Sequence, residues 1–308
     1  MELTGIFPVL PTPFDAAGGV DVEAMREIVR YAVRSGVDGV VFPGFASEVE
    51  TLDADERARL LSVVVEESGG RIPVIAGASA ADVEEIVAHG EQARRLGIMH
   101  IMVQPPRSIG AGAGPVGDFL AGVAARLPGM EIILQNAPVP RGSDLSPEAI
   151  IDILERVPAI TYVKEETLPA GPAISHILAR RPASLKGVIG GGGARYILDE
   201  YARGATAAMP ALEIAARHVR LDRAFRNGDH DLARRIYVET LPLLVLQAVY
   251  RMRLTKHALM RQGVIEHVGV RAPTPELDAS AIADIDRSLE QALSSGSEPA
   301  VGAVGVPA

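Results

Sequence analysis

Short apolar runs alternate with longer amphipathic stretches along most of the chain. The runs are rich in β-branched residues and bounded by turn-forming residues, which is typical of buried strands. Between the runs, apolar residues recur at helical spacing, as at Leu60, Leu61, Val64 and Val65. The pattern predicts eight strands, near residues 6–10, 39–42, 72–76, 100–103, 131–134, 160–164, 185–189 and 205–209.

This alternation determines the predicted fold. Repeated strand–helix units imply parallel strands with right-handed crossovers, and eight of them close most naturally into a barrel. A doubly wound open sheet is the competing fold, but no Gly-x-Gly-x-x-Gly opens the first unit, where dinucleotide-binding sheets carry it. We therefore predict an α/β fold, a (β/α)8 TIM barrel over residues 1–211.

Beyond the eighth strand the pattern is helical. Helical spacing covers residues 231–251 and 256–262, breaks at 271–275, and resumes over 282–293. These helices exceed what one barrel unit needs, so residues 212–293 are predicted to contain the last barrel helix and a C-terminal helical appendage. Residues 294–308 are small or polar without a period, which predicts a flexible tail.

Composition narrows the classes of partner and cofactor. A net charge of −9 disfavours nucleic acid and anionic membranes as partners. The chain has no cysteine, which excludes disulfides, thiolate catalysis and Cys-ligated zinc, and its histidines lack the spacing of a zinc site. The N-terminal residues lack the features of a signal peptide, and no apolar run approaches ~18 residues. We expect a cytoplasmic protein without a metal.

Lys164 ends the predicted sixth strand, and Glu165 and Glu166 follow it directly. An ammonium group at the end of an apolar strand loses hydration, which lowers its pKa and leaves a neutral amine to attack a carbonyl. The alternative is a structural lysine that pairs with one of the two glutamates. Because chemistry in such barrels lies at the carboxyl ends of the strands, the position favours a nucleophile.

Other polar or flexible residues follow neighbouring strands at the same face. Ser47 and Glu48, a hydroxyl donor and a candidate acid or base, follow strand two, and Gln135 with Asn136 follows strand five. The glycine run 190–193 after strand seven allows backbone N–H groups to approach a ligand. Each of these also fits a purely structural role in a cap or a turn. Together they surround one predicted barrel mouth.

The order of these motifs resembles the class I aldolase superfamily of dihydrodipicolinate synthase and N-acetylneuraminate lyase. The resemblance spans about residues 5–293 and rests on Lys164, the Gly-x-x-x-Glu loop 44–48, the Asn-x-Pro at 136–138 and the Gly-Ala-Thr at 204–206. It implies that Lys164 forms a Schiff base with a 2-keto acid, with no cofactor beyond this covalent imine, and that loop 44–48 holds the acid's carboxylate. It also implies a homo-oligomer, a tetramer or a dimer. The candidate substrate-binding residues are Ala46, Ser47, Glu48, Asn136, Glu166, Gly191, Gly192 and Met209.

The chain departs from the family pattern at its predicted site. Phe45 and Ala46 stand where two threonines are usual, and Gln135 stands where a proton-relaying tyrosine is usual. Arg107 follows a Pro-Pro pair where another tyrosine often stands. Glutamine does not ionise, so it does not serve as a general acid or base. Dihydrodipicolinate synthase activity is therefore not expected.

A narrower resemblance is to the L-2-keto-3-deoxyarabonate dehydratases, which also lack the strand-five tyrosine. It rests on residues 134–138, 162–167, 204–209 and 256–261. It implies dehydration of a 2-keto-3-deoxypentonate to 2-oxoglutarate semialdehyde in carbohydrate catabolism. A retro-aldolase on a related keto acid and an inert keto-acid-binding protein are the open alternatives.

Dehydration through an imine needs groups that move protons. The candidates are the substrate's own carboxylate, a water held by Gln135 or Ser47, and Tyr162, which precedes Lys164 by two residues and so shares its side of the strand. Tyr162 is alternatively a packing residue inside the barrel. The predicted catalytic residues are thus Lys164, Gln135 and Tyr162. Arg107 and Arg141 are candidates for binding the distal substrate groups, although a surface role is favoured for each.

Overall fold

Eight parallel strands form a single sheet in the computed structural model, which describes residues 2–294. Strands two to eight are neighbours in chain order, and the first strand pairs with the eighth. A parallel bridge between Val9 and Val41 joins the first strand segment to the second and closes the sheet. The strands are β1 (Gly5–Ile6), β2 (Val40–Phe42), β3 (Val74–Gly77), β4 (His100–Val103), β5 (Glu131–Asn136), β6 (Ile160–Glu165), β7 (Gly187–Gly190) and β8 (Ala207–Ala208).

Helices follow the strands and surround the sheet, so the predicted (β/α)8 barrel is confirmed. Several of them begin at a side-chain cap: Asp21, Asp53 and Asp82 each accept a hydrogen bond from a backbone N–H of the first turn. The helices are α1 (Val22–Arg34), α2 (Ala54–Ser68), α3 (Val83–Arg95), α4 (Ala113–Arg126), α5 (Pro147–Arg156), α6 (Ala170–Ala179), α7 (Ile197–Ala202), α8 (Ala215–Arg226), α9 (His230–Arg261) and α10 (Ala279–Ser294). No helix within residues 2–294 combines the length and apolarity needed to span a membrane.

The apolar core has one layer inside the barrel and a larger one between the sheet and the helices. Tyr162 and Ile189 belong to the inner layer, whereas Val163 and Val188 belong to the outer one. This alternation follows from the pleat, which sends successive side chains to opposite faces. Because Lys164 follows Tyr162 by two residues, it lies on the inner face, nearer the carboxyl end.

The C-terminal helices form the predicted appendage. The two helical stretches expected at 231–251 and 256–262 are one element, α9, with a break at Arg251, where φ is 49° and ψ is −121°. Helix α10 packs on α9 through an apolar cluster that includes Leu254, Ile285 and Leu289. Ser294 ends α10, and the rest of the predicted flexible tail lies outside the described residues.

Candidate active site

Lys164 lies at the carboxyl end of β6, where it is paired in register with Gln135 of β5. Its side chain is 4% exposed, and that remaining surface borders a cavity of about 820 Å3 at the barrel mouth. Burial lowers the pKa of the Lys164 ammonium from its ordinary value, although the neighbouring Glu166 opposes the shift. A neutral amine is therefore more accessible here than on a surface lysine.

Glu166 is the carboxylate closest to the Lys164 amine. Its Oε1 lies 3.1 Å from Nζ of Lys164, and its Oε2 accepts hydrogen bonds from Gln135 Nε2 at 2.9 Å and from an Arg141 Nη at 2.6 Å. Burial alone raises the pKa of Glu166, but Lys164, Arg141 and Gln135 outweigh it and bring the pKa to about 2. Lys164 thus pairs with a glutamate, as expected for a purely structural lysine. The pair nevertheless lies in the wall of the cavity.

Several of the predicted site residues surround the same cavity. Lys164, Glu166, Ala46, Gly192 and Met209 all contribute to its lining. Lys164 lies near the end of β6, and Glu166 directly follows that strand.

Gly191 acts by leaving room for Glu166. A Cβ built on Gly191 would lie 2.3 Å from Cγ of Glu166, so any larger residue would displace the carboxylate from the lysine. Gln135 acts through the same carboxylate, because its amide donates to Glu166. Both predicted residues thus contribute by positioning Glu166.

Ser47 fixes the shape of the loop after β2. Its hydroxyl donates to the carbonyl oxygen of Leu10 at 2.5 Å and accepts from the backbone N–H of Gly44 at 2.9 Å. The side chain is fully buried, and Ser47 does not line the cavity. The expectation that this hydroxyl meets a substrate carboxylate, or holds a water for the reaction, therefore does not fit the observed contacts.

Glu48 binds the C-terminal appendage, which corrects its expected role at the substrate. Its Oε1 lies 2.6 Å from Nζ of Lys256 on α9, and its Oε2 accepts from the backbone N–H groups of Arg271 and Ala272, each at 2.7 Å. The side chains of Glu48 and Lys256 are both fully buried. Because both carboxylate oxygens are engaged away from Lys164, Glu48 joins the site loop to the helices behind it.

Asn136 is also a structural residue, contrary to its expected role in substrate binding. Its amide exchanges hydrogen bonds with the backbone of Leu145, at 3.0 and 2.9 Å, and donates to Glu165 at 2.9 Å. It is 1% exposed. Asn136 neighbours Gln135 along β5, so the pleat sends the two side chains to opposite faces of the strand.

Tyr162 lies deeper in the barrel than the site. Its hydroxyl accepts a hydrogen bond from the backbone N–H of Leu3 at 2.9 Å, at the amino-terminal end of the barrel, and its ring packs among the inner core residues. Burial raises the pKa of this phenol. The expected proton-carrying role is corrected to the alternative, core packing, because the hydroxyl points away from the strand end that holds Lys164.

Arginine side chains border the site more closely than the sequence indicates. Arg141, for which a surface role was favoured, contacts Glu166, and Arg195 and Arg251 line the same cavity. Arg107 is exposed and donates to the Pro140 carbonyl oxygen at 2.7 Å, so it supports the loop after β5. The position of Arg141 in the loop after β5 made it a candidate for substrate binding. Nothing in the sequence indicated that Arg195 and Arg251 would line the same cavity.

The chain's relatives bear on what this site does. The profile of the dihydrodipicolinate synthetase family matches residues 2–292. The chain belongs to the dihydrodipicolinate synthetase family. Membership of this family supports a lyase activity, and it confirms the family resemblance found in the sequence.

Individual relatives of this family member carry different activities. A 4-hydroxy-tetrahydrodipicolinate synthase of Acidobacterium capsulatum is 30% identical over 79% of the chain and 80% of its own length. An L-2-keto-3-deoxyarabonate dehydratase of Azospirillum brasilense is 29% identical over 91% of the chain and 92% of its own length. Sequence identity therefore leaves the reaction of this family member open between the two.

Solved structures agree on the fold. A dihydrodipicolinate synthase from Rhodopseudomonas palustris superposes with a TM-score of 0.88 at 22% identity, covering 94% of this chain and 97% of that one. An N-acetylneuraminate lyase from Aliivibrio salmonicida gives a TM-score of 0.84 at 19% identity, covering 95% and 98%. Within residues 2–294, no group of three or more His, Asp or Glu residues is placed to hold a metal. That the reaction needs no cofactor stays a prediction.

Proposed function

We propose that this family member is a Schiff-base-forming lyase that dehydrates a 2-keto-3-deoxy sugar acid. The observation that carries the proposal is the contact between Lys164 and Glu166, in which Gln135 orients the carboxylate from the position where a tyrosine is usual. The Azospirillum brasilense dehydratase, similar over nearly the whole chain, supports a 2-keto-3-deoxypentonate as substrate and 2-oxoglutarate semialdehyde as product.

The reaction begins with attack by Lys164 on C2 of the keto acid. The ammonium first loses a proton, for which Glu166 at 3.1 Å is the nearest base. The neutral amine adds to the carbonyl carbon, and the carbinolamine loses water to give a cationic imine. The Lys164 side chain is 4% exposed, so the iminium forms away from bulk water and beside the Glu166 carboxylate, which stabilises its charge.

Removal of a C3 proton then converts the iminium to an enamine. Glu166 is an ionised base with one oxygen, Oε1, directed at the lysine nitrogen, while Gln135 and Arg141 hold the other oxygen. A base that is held in place by two donors keeps its orientation while it gains and loses a proton. The protonated Glu166 then becomes the acid for the next step.

Expulsion of the C4 hydroxyl completes the dehydration. The enamine electrons move to form the C3–C4 double bond as the C4–O bond breaks, and the proton on Glu166 leaves with the hydroxyl as water. Addition of water at C2 of this unsaturated iminium regenerates the amine of Lys164 and releases 5-hydroxy-2-oxopent-3-enoate. This acid becomes the isomeric semialdehyde when a proton leaves C5 and another adds at C3, and the resulting enol then tautomerises to the aldehyde. In this scheme Glu166 takes the place of the family tyrosine as proton carrier, and Gln135 positions it.

Borohydride trapping tests the imine directly. Reduction in the presence of pyruvate or a 2-keto-3-deoxypentonate is expected to add the mass of the reduced adduct to the native protein, on the peptide containing Lys164. Lys164→Ala is expected to lose the adduct. An adduct that survives this substitution, or no adduct with any keto acid, would overturn the imine.

Product analysis separates dehydration from aldol cleavage. A semialdehyde without free pyruvate is the expected product from the pentonate. Release of pyruvate would instead mean that the C3–C4 bond breaks, and the dehydratase proposal would be wrong.

A further inference from the structure

Three arginines from different elements converge on the cavity that contains Lys164. Arg141 follows β5, Arg195 follows β7, and Arg251 lies at the break in α9. Burial lowers the pKa of Arg251, and the charges of Arg141 and Arg195 lower it further. The three guanidinium groups are therefore close enough to repel one another. Together they concentrate positive charge in the part of the cavity that they line.

Arg195 and Arg251 carry charges that no carboxylate among the described residues pairs with. Arg141 is bound to Glu166, whereas Arg195 donates to neutral groups, Gln247 Oε1 at 3.2 Å and the Leu244 carbonyl oxygen at 3.5 Å. Arg251 lies over the ring of Phe45, with 5.3 Å between its guanidinium carbon and the ring centroid. Across residues 2–294, neither forms an ion pair with a carboxylate.

The acidic groups around these arginines do not neutralise them. Glu200 and Glu213 act on Arg195 electrostatically, but burial raises the pKa of both, that of Glu200 to about 8, so Glu200 is largely uncharged at neutral pH. Glu50 and Asp144 line the cavity from exposed positions, without pairing with either arginine. The field at Arg195 and Arg251 is therefore available to a ligand.

Arg251 has a left-handed φ at the point where α9 breaks and where its side chain lines the cavity. Its φ of 49° with ψ of −121° breaks α9, and a long side chain rarely adopts such a conformation. Strain of this kind persists where the surroundings enforce it, commonly at ligand sites. Phe45, which stands where the family usually has threonine, lies under both Arg251 and Arg141, at 5.3 and 4.9 Å.

We propose that Arg195 and Arg251 bind a second anionic group, a carboxylate or a phosphate, at the far end of the 2-keto acid that Lys164 holds. This inference rests on the imine of the proposed function and specifies the substrate class. Guanidinium groups suit both anions because their N–H groups match two oxygens at once. The hydroxymethyl end of a 2-keto-3-deoxypentonate accepts hydrogen bonds from them but carries no charge to pair with, so 2-keto-3-deoxy acids with a second anionic group should bind more tightly than the pentonate.

A pair of keto acids of equal length tests the proposal. 2-Oxoglutarate ends in a carboxylate and 2-oxovalerate in a methyl group, and both offer the same keto group to Lys164. The concentration that gives half-maximal borohydride trapping is expected to be about tenfold lower or more for 2-oxoglutarate, since hydrogen bonds between charged groups contribute that much. 2-Keto-3-deoxy-6-phosphogluconate carries a phosphate at its far end. Comparison of its half-maximal trapping concentration with that of 2-oxoglutarate shows whether the two arginines favour a phosphate or a carboxylate.

Arg195→Gln and Arg251→Gln are each expected to raise the half-maximal concentration for 2-oxoglutarate by a much larger factor than that for 2-oxovalerate, which removes most of the preference. Arg181→Gln, an exposed arginine after α6 at the opposite end of the barrel, removes the same charge and should keep the preference. Equal trapping of all the acids by the native protein, or a preference that survives both substitutions, would overturn the proposal. Absence of any adduct would instead count against the imine itself, so the two failures are distinguishable.

Discussion

Oε1 of Glu166 lies 3.1 Å from Nζ of Lys164, while Gln135 and Arg141 hold the other oxygen of the same carboxylate. In the proposed mechanism this contact joins the nucleophile, the base and two donors that orient the base. Gln135 then holds the proton carrier, at the position where the family usually has a proton-carrying tyrosine.

Glu166→Gln is expected to separate imine formation from dehydration. The amide keeps the shape of the side chain but does not accept a proton, so the rate of dehydration should fall by about 10²–10⁴-fold. Borohydride should still trap pyruvate on Lys164. Gln135→Ala, which loosens the carboxylate without removing it, should lower kcat by a smaller factor. Unchanged turnover in Glu166→Gln would show that another group moves the proton.

The pH dependence of imine formation should report the pKa of Lys164. The amine attacks only when neutral, so the rate of adduct formation rises with pH through that pKa, and burial places the rise below the ordinary lysine value of 10.5. Glu166 raises the pKa of Lys164 and Arg141 lowers it. The rise should therefore move to lower pH in Glu166→Gln and to higher pH in Arg141→Gln, as measured with cyanoborohydride and pyruvate. Shifts in the same direction would contradict this arrangement.

Tyr162→Phe is expected to affect stability and not catalysis. Removing the hydroxyl leaves the Leu3 N–H buried without its partner, which costs about 1–3 kcal/mol in the free energy of unfolding. Urea denaturation measures that loss, and kcat with the native substrate should stay within twofold of the native value, since the phenol lies outside the site. A large fall in kcat at unchanged stability would restore Tyr162 as a catalytic residue.

Glu48→Gln is expected to destabilise the protein strongly, because the buried charge of Lys256 loses its partner. Breaking such a pair costs about 3–5 kcal/mol. Glu48→Gln combined with Lys256→Met removes both charges and should recover much of the loss, as measured by urea denaturation. If the double variant is as unstable as the sum of the single ones, the two residues do not act as a pair.

The sequence was sufficient to predict the barrel because each strand is a short apolar run and each helix a longer periodic one. The position of Lys164 was predictable for the same reason: it stands at the end of the sixth run, and the structure places it at the carboxyl end of β6. Its role as the nucleophile stays a prediction. Asn136 was misassigned although the pleat rule separates it from Gln135, since neighbouring residues on a strand cannot both face the interior.

The remaining features depend on contacts between distant parts of the chain. Glu48 was expected at the substrate because it follows β2, but its partner Lys256 is 208 residues away along the chain. Arg251 lines the cavity at the point where α9 breaks, and the helical period of the sequence does not show which way the side chain turns at such a break. Neither the Glu48–Lys256 contact nor the position of Arg251 can be predicted from the residues adjacent in sequence.

The link from Glu48 to Lys256, Arg271 and Ala272 couples the loop after β2 to the C-terminal segment. A chimera that exchanges residues after 211 with those of another barrel would bring a foreign surface to a buried carboxylate. Such a graft should fold only when the incoming segment offers Glu48 a cation and backbone N–H donors in the places of Lys256, Arg271 and Ala272. Exchange of C-terminal segments between barrels is thus restricted to segments that preserve this contact.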